Sequence, residues 1–124
     1  MIKIRRPLVH QVRKDAWVEV DLGNIEHNIY EFEKIIPKET KILAVVKADA
    51  YGHGAAMCAS TLIASGVDMF GVSSIDEGMQ LREAGVEIPI LILGTSPDWA
   101  FASAIENNLT LAIYNDEHIQ ACRD

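Results

Sequence analysis

The 124-residue chain predicts an α/β fold of parallel (β/α) units, the first half of a TIM-type (β/α)8 barrel. Three observations carry this. From residue 41 onward, strand-like and helix-like segments alternate four times. The repeat is about 20 to 27 residues, enough for a strand and a returning helix, so consecutive strands should lie parallel. The strand "KILAVVK" (41–47) is a continuous apolar run, expected of a strand covered on both faces. Four such units also suit an open doubly wound sheet, whereas a whole barrel needs roughly 250 residues. The sequence stops at Asp124 partway into an amphipathic segment with no capping signal, which favours the half-barrel.

Before the first repeat, "WVEVDL" (17–22) sets Val18, Val20 and Leu22 against Trp17, Glu19 and Asp21, the alternation of a half-buried strand. Ile25, Ile29, Phe32 and Ile36 then recur at helical spacing, and Pro37 closes that helix. After strand 41–47, a helix is expected from Ala55 to Ser65, ended by Gly66. "DMFGVSS" (68–74) reads as a strand, and Ser74 with Glu77 forms a possible capping box for a helix that stops at Gly85. Pro89 opens the buried strand 89–94. Ser96 is expected to cap the next helix, with Pro97 at its first position and Asn107 and Asn108 at its end. "LTLAIY" (109–114) is the last strand, and Asn115 starts a further helix at Asp116.

Composition narrows the function. A hydrophobic content of 49% with 23% charged residues is that of a globular protein. The net charge of −7 argues against a nucleic-acid or anionic membrane surface, because no excess of Lys and Arg is available for phosphates. No apolar stretch approaches a membrane span and no signal-peptide pattern opens the chain, so a cytoplasmic protein is expected. Residues 1–15 read as a polar arm, and 16–124 as the barrel portion. Cys58 and Cys122 form no CxxC, and with His10, His27, His53 and His118 scattered there is no zinc-ligand spacing. Two free, buried thiols are the expectation, and no metal.

Chemistry concentrates in "AVVKADAYGHG" (44–54). Side chains two apart share a strand face, so Leu43, Val45 and Lys47 point one way and Ile42, Ala44 and Val46 the other. If Leu43 and Val45 face the barrel interior, Lys47 sits at the C-terminal rim, where parallel α/β proteins build active sites. Apolar walls there would disfavour the charged amine, as a Schiff-base lysine requires. The plainer alternative is a lysine that snorkels from a strand end. Tyr51 taken alone is equally a packed aromatic with a solvated hydroxyl. Together they pair an amine for an aldehyde with a phenol for that ligand's phosphate. Gly52 and Gly54 allow the close backbone approach a ligand needs. His53 is either a site donor or a loop histidine satisfied by backbone.

"AVVKADAYGHGA" resembles the cofactor signature of the alanine racemase family. "AWVEVDLGNIEHNI" and "FGVSSIDEGMQLREAGVEIPILILG" resemble that family's opening strand and helix and its next two units. Related lysine-bearing barrels, such as amino-acid decarboxylases and pyridoxal-phosphate homeostasis proteins, usually lack the AYGHG continuation. The resemblance implies pyridoxal 5′-phosphate as cofactor and an isomerase that interconverts L- and D-alanine for peptidoglycan. It makes Lys47 the internal-aldimine lysine and one of two catalytic bases. Tyr51 would hydrogen-bond the cofactor phosphate, while Val45 and Leu93 would line the cofactor pocket. Both apolar residues would also be buried in any α/β sheet.

The family's opposing tyrosine base, entering from the partner subunit of a homodimer, belongs to a C-terminal β domain. The arginine facing the pyridine nitrogen and most other phosphate contacts also come from later segments, and none of these lies within 1–124. The resemblance therefore implies a fragment inactive alone, needing the rest of the barrel and the β domain. Arg6-Pro7 is separated from Trp17 by nine residues, "LVHQVRKDA", where the family usually has Arg-Pro close before that Trp. Three readings stand side by side at this point: the N-terminal portion of an alanine racemase, or of a racemase of another amino acid such as serine; a cofactor-binding module without racemase activity; and a structural half-barrel.

Overall fold

Four short parallel strands run side by side in the order of the sequence, β1-β2-β3-β4, in a computed structural model that describes residues 17–123. The strands are β1 (Leu43–Val45), β2 (Met69–Val72), β3 (Ile90–Ile92) and β4 (Thr110–Leu111). Leu43 pairs with Met69, Phe70 with Ile90 and Leu91 with Thr110. A doubly wound sheet reverses its strand order at a switch point. Here the order runs one way without reversal, so the half-barrel is the arrangement formed. The expected arm, 1–15, lies outside the described residues.

Five helices accompany the strands: α1 (Leu22–Ile35), α2 (Ala55–Ala64), α3 (Ile75–Glu83), α4 (Phe101–Glu106) and α5 (Asp116–Ala121). Local chemistry sets their starts. Asp21 caps α1 by accepting the Gly23 and Asn24 N–H groups, and Asn115 caps α5 by accepting that of His118. The core lies between the helices and one face of the sheet. Phe70, Val72, Ile90 and Ile92 are almost fully buried there, joined by Leu62 and Cys58 of α2, Leu81 of α3 and Ala104 of α4.

Arg82, at the end of α3, ties this outer layer to the bottom of the sheet. Its guanidinium donates to the carbonyls of Val86, Ile88, Asn107 and Asn108 at 2.6–3.1 Å. Those carbonyls belong to the turns before β3 and β4. Burial pulls the Arg82 pKa below its ordinary value, yet a guanidinium stays charged at any physiological pH.

The structure corrects several expectations. Residues 17–21 form no strand: Trp17 and Val18 are 69% and 81% exposed. Alternation marks a face that can be buried, but a strand exists only against a partner, and no described segment pairs with this one. Ser96 caps no helix. Pro97 keeps an extended ψ of 147°, and the chain enters α4 through a 3-10 turn, Asp98–Ala100. The strands are shorter than their apolar runs, and the inner face of the sheet is not covered by described residues. Cys58 is buried but Cys122 is exposed.

The two faces should respond differently to truncation. Ile92→Ala, on the helix-covered face, is expected to lower unfolding free energy by about 2–5 kcal/mol in urea titration. Leu91→Ala, on the open face, should lose less than half as much.

Candidate functional site

Strand parity brings the apolar inner face to a rim of polar loops. Leu43 and Leu91 are half-buried on this face, while Val45 and Leu93 are 38% and 36% exposed. The adjacent Val46 is buried against the helices and Lys47 is half-buried. Lys47 thus follows the last β1 residues at their C-terminal end, as expected. Its amine has no hydrogen-bond or ion-pair partner among the described residues.

The floor between Val45 and Leu93 depends on a missing side chain. A Cβ on Gly71, at the centre of β2, would stand 2.9 Å from Leu43 Cδ2 and 3.1 Å from Leu93 Cδ1. The two leucines therefore close over the strand only because Gly71 is bare. Gly94 solves a second crowding problem, since its Cβ would lie 2.4 Å from the Ser73 carbonyl oxygen.

Beyond Lys47 the backbone does something that periodicity does not reveal. Ala48, Asp49, Ala50 and Tyr51 all have φ between 51° and 55°, one turn of left-handed helix. For non-glycine residues this conformation is disfavoured by roughly 1–2 kcal/mol each, so it persists only where its surroundings over-determine it. Several bonds do so. Ala50 N–H donates to Val46 C=O, Gly52 N–H to Ala48 C=O and Gly54 N–H to Asp49 C=O, at 2.9–3.1 Å. Gly52, at φ +86°, continues the turn without a side-chain penalty. Asp49 Oδ1 accepts the Ala55 N–H at 2.7 Å, supplying the cap that Gly54, at the N-terminus of α2, has no side chain to provide.

The turn carries Tyr51 outward, 61% exposed, at the same rim as Lys47. His53 is held by its own loop, with Nδ1 2.9 Å from the Ala50 carbonyl, which is the backbone-satisfied alternative. Cys58 lies behind the turn with its thiol 3.7 Å from the His53 carbonyl. Burial, reinforced by the Asp49 charge, pushes its pKa up.

Three contributors escaped the sequence reading. Gly71 carried no signal beyond its place in an apolar strand. Tyr114, at the end of the last apolar run, donates from Oη to the Leu93 carbonyl at 2.6 Å and sets its ring edge-on to buried His118. The sequence marks Glu77 only as a helix cap. Ser74 Oγ does accept the Glu77 N–H, at 3.4 Å. The Glu77 carboxylate, however, goes to the Ala48 and Ser73 N–H groups, each at 2.7 Å.

The donor set is a primary amine, a phenol and two aliphatic flanks over a bare glycine. That chemistry fits a flat aldehyde with an anionic arm, such as a pyridoxal phosphate. No group of three or more His, Cys, Asp or Glu side chains that would hold a metal occurs among the described residues. No described helix is long and apolar enough to cross a membrane.

Two outcomes are expected from this geometry. Gly94→Ala should lower stability by about 1–3 kcal/mol, read by thermal unfolding, because backbone must move to admit the methyl. Iodoacetamide at pH 8 should alkylate Cys122 about tenfold faster than Cys58 in the folded chain, and the two should converge in denaturant.

Comparison with known proteins agrees with this architecture. The family described as "Alanine racemase, N-terminal domain" matches residues 20–124. "Alanine racemase 1" of Oceanobacillus iheyensis is 42% identical over 111 residues, covering 90% of this chain and 30% of its own length. The alanine racemase of a Nostoc species is 49% identical over 81 residues, covering 65% of this chain and 21% of its own. Among solved structures, the alanine racemase of Clostridium difficile superposes with a TM-score of 0.82 at 40% identity, over 85% of this chain and 28% of that one. A histidine racemase from Leuconostoc mesenteroides superposes with a TM-score of 0.74 at 34% identity, over 81% of this chain and 27% of that one. The chain thus spans less than a third of the length of each.

Proposed function

Because this chain belongs to the alanine racemase N-terminal domain family, we propose that it supplies the cofactor-holding portion of a pyridoxal 5′-phosphate-dependent alanine racemase. The observation that carries this reading is the placement of Lys47 at the C-terminal rim of β1, with Tyr51 on the left-handed turn that follows it. When bound, the pyridoxal ring acts as an electron sink for the charge left at the substrate α-carbon.

Each residue then has a definite task. Lys47 Nζ would hold the aldehyde until the substrate's amino group displaces it, and the released Nζ would then take up the α-proton on its own face of the substrate and give it back from the same nitrogen. Tyr51 Oη donates to a phosphate oxygen. Val45 and Leu93 flank the ring and exclude water from one side. Racemisation needs a proton delivered to the opposite face, so a second base must come from outside residues 1–124. We assign that base, the remaining phosphate contacts and the homodimer to the rest of the barrel and a C-terminal β domain. The product D-alanine would serve the cell wall, and the enzyme would work in the cytoplasm. Residues 16–124 are the barrel portion and 1–15 the arm in this reading.

A different amino-acid substrate is the second reading. A histidine racemase shares this half-barrel at 34% identity, and the residues that would discriminate a substrate side chain lie mostly beyond this chain. A module that holds the cofactor without turning over is the third.

Pyridoxal 5′-phosphate added to the chain is expected to give a shifted absorbance band. Borohydride should then fix the cofactor to the peptide containing Lys47. Lys47→Ala should lose both signals, and a folded chain that gives neither would refute the proposal. With the remaining segments supplied, exchange of α-deuterium without racemisation would favour the cofactor module. Assays with L-alanine, L-serine and L-histidine would decide the substrate.

A further inference from the structure

The register of β1 on β2 shows what the left-handed turn disrupts. Val46 N–H donates to Gly71 C=O at 2.9 Å, the last regular rung. In a parallel ladder the next two rungs would run from Ser73 N–H to Val46 C=O and from Ala48 N–H to Ser73 C=O. Neither is made. Val46 C=O is taken by Ala50 N–H, because the chain has turned away. Two donors at adjacent strand ends are thereby left without ladder partners.

Both go to one side chain. Glu77 Oε1 accepts the Ala48 N–H and Oε2 accepts the Ser73 N–H, each at 2.7 Å. These short, charge-assisted bonds are stronger than neutral ones. The carboxylate comes from the first turn of α3, whose own entry is held by Ser74. A capping-box glutamate ordinarily reaches back to the N–H of its own cap residue. This one spans two strands instead.

We infer that Glu77 is a positioning residue for Lys47: by clamping the Ala48 and Ser73 amides it sets the peptide plane that joins Lys47 to Ala48. That plane governs both the direction in which the Lys47 side chain leaves the strand and the start of the turn that carries Tyr51. The inference deepens the reading of Lys47 as the cofactor-holding lysine and rests on it. The carboxylate makes no hydrogen bond or ion pair with either side chain; it acts through the backbone between them.

A matched control exists at the other end of the same strand pair. Asp68 Oδ2 accepts the Ile42 N–H at 2.7 Å, a bond of the same kind, far along β1 from Lys47. The experiment compares Glu77→Gln, Glu77→Ala and Asp68→Asn in the 124-residue chain. Amide hydrogen exchange without cofactor is read at Ala48 and Ser73. Pyridoxal 5′-phosphate capture is then titrated by absorbance and mapped to Lys47 after borohydride.

Glu77→Ala should speed exchange at both amides and weaken capture, each about tenfold, the scale of a charge-assisted hydrogen bond. Glu77→Gln keeps one carbonyl acceptor and should fall between Glu77→Ala and the unmodified chain, and it serves as the reporting variant if Glu77→Ala does not fold. Asp68→Asn, at comparable loss of thermal stability, should capture cofactor like the unmodified chain. Capture unchanged in both Glu77 variants, or lost equally in Asp68→Asn, would overturn the positioning role. Unmodified chain that exchanges as expected but captures nothing at Lys47 would refute the cofactor reading and this inference with it. Capture by unmodified chain without any change in Glu77→Ala refutes the inference alone.

Discussion

A β-strand presents alternate residues to opposite sides, and in this chain that alternation divides structure from chemistry. Phe70, Val72, Ile90 and Ile92 face the helices and are almost fully buried. Their neighbours Gly71, Leu91 and Leu93 face the other way, toward the side of the four-stranded sheet that the helices leave open. A parallel sheet normally has both faces covered. Here the covered face provides the stability, and the uncovered one provides an apolar floor that leads to the rim where Lys47 sits.

That rim is made from strand ends, and strand ends must settle their unpaired backbone groups. The chain handles this with carboxylates. Asp68 takes the Ile42 amide at the bottom of the sheet, while Asp49 takes the amide that opens α2. Glu77 takes the two amides left over when β1 breaks into its left-handed turn. Three acids thus hold three neighbouring segments, and a −7 chain uses part of its acidity for internal bonding. Arg82 performs the converse task at the bottom of the sheet, gathering four carbonyls from two turns onto one guanidinium.

The left-handed turn links architecture and chemistry. A regular strand would continue Lys47 into the ladder and carry Tyr51 away along β1. Four residues at φ near +53° instead end the strand within one residue of Val46 and fold the following segment back on itself. The lysine and the tyrosine thereby share one rim. The conformation is unfavourable for alanine and tyrosine, so it must be supported from outside, by Glu77, by Asp49 and by the bare Gly52.

How much of this was legible beforehand differs by element. The helices and strands from residue 41 on were read from apolar periodicity and from Asn115 and Ser74, because those signals depend on local backbone chemistry. The face shared by Leu43 and Val45 followed from a period of two, which does not extend to Lys47 because β1 ends at Val45 and Val46, at ψ 24°, is not extended. Residues 17–21 and Ser96–Pro97 misled for one reason: their patterns permit a strand and a helix start, and only neighbours decide whether either forms. The sequence by itself determined the order of elements, the identity of the amine and phenol, and the chemistry they suit. Only the tertiary structure decided that the sheet runs in unreversed order, that Gly71 and Gly94 are bare because leucines and a carbonyl crowd them, and that Glu77 reaches across two strands. Those facts depend on contacts between residues about 20 to 30 apart, and hydrophobic periodicity carries no information at that separation.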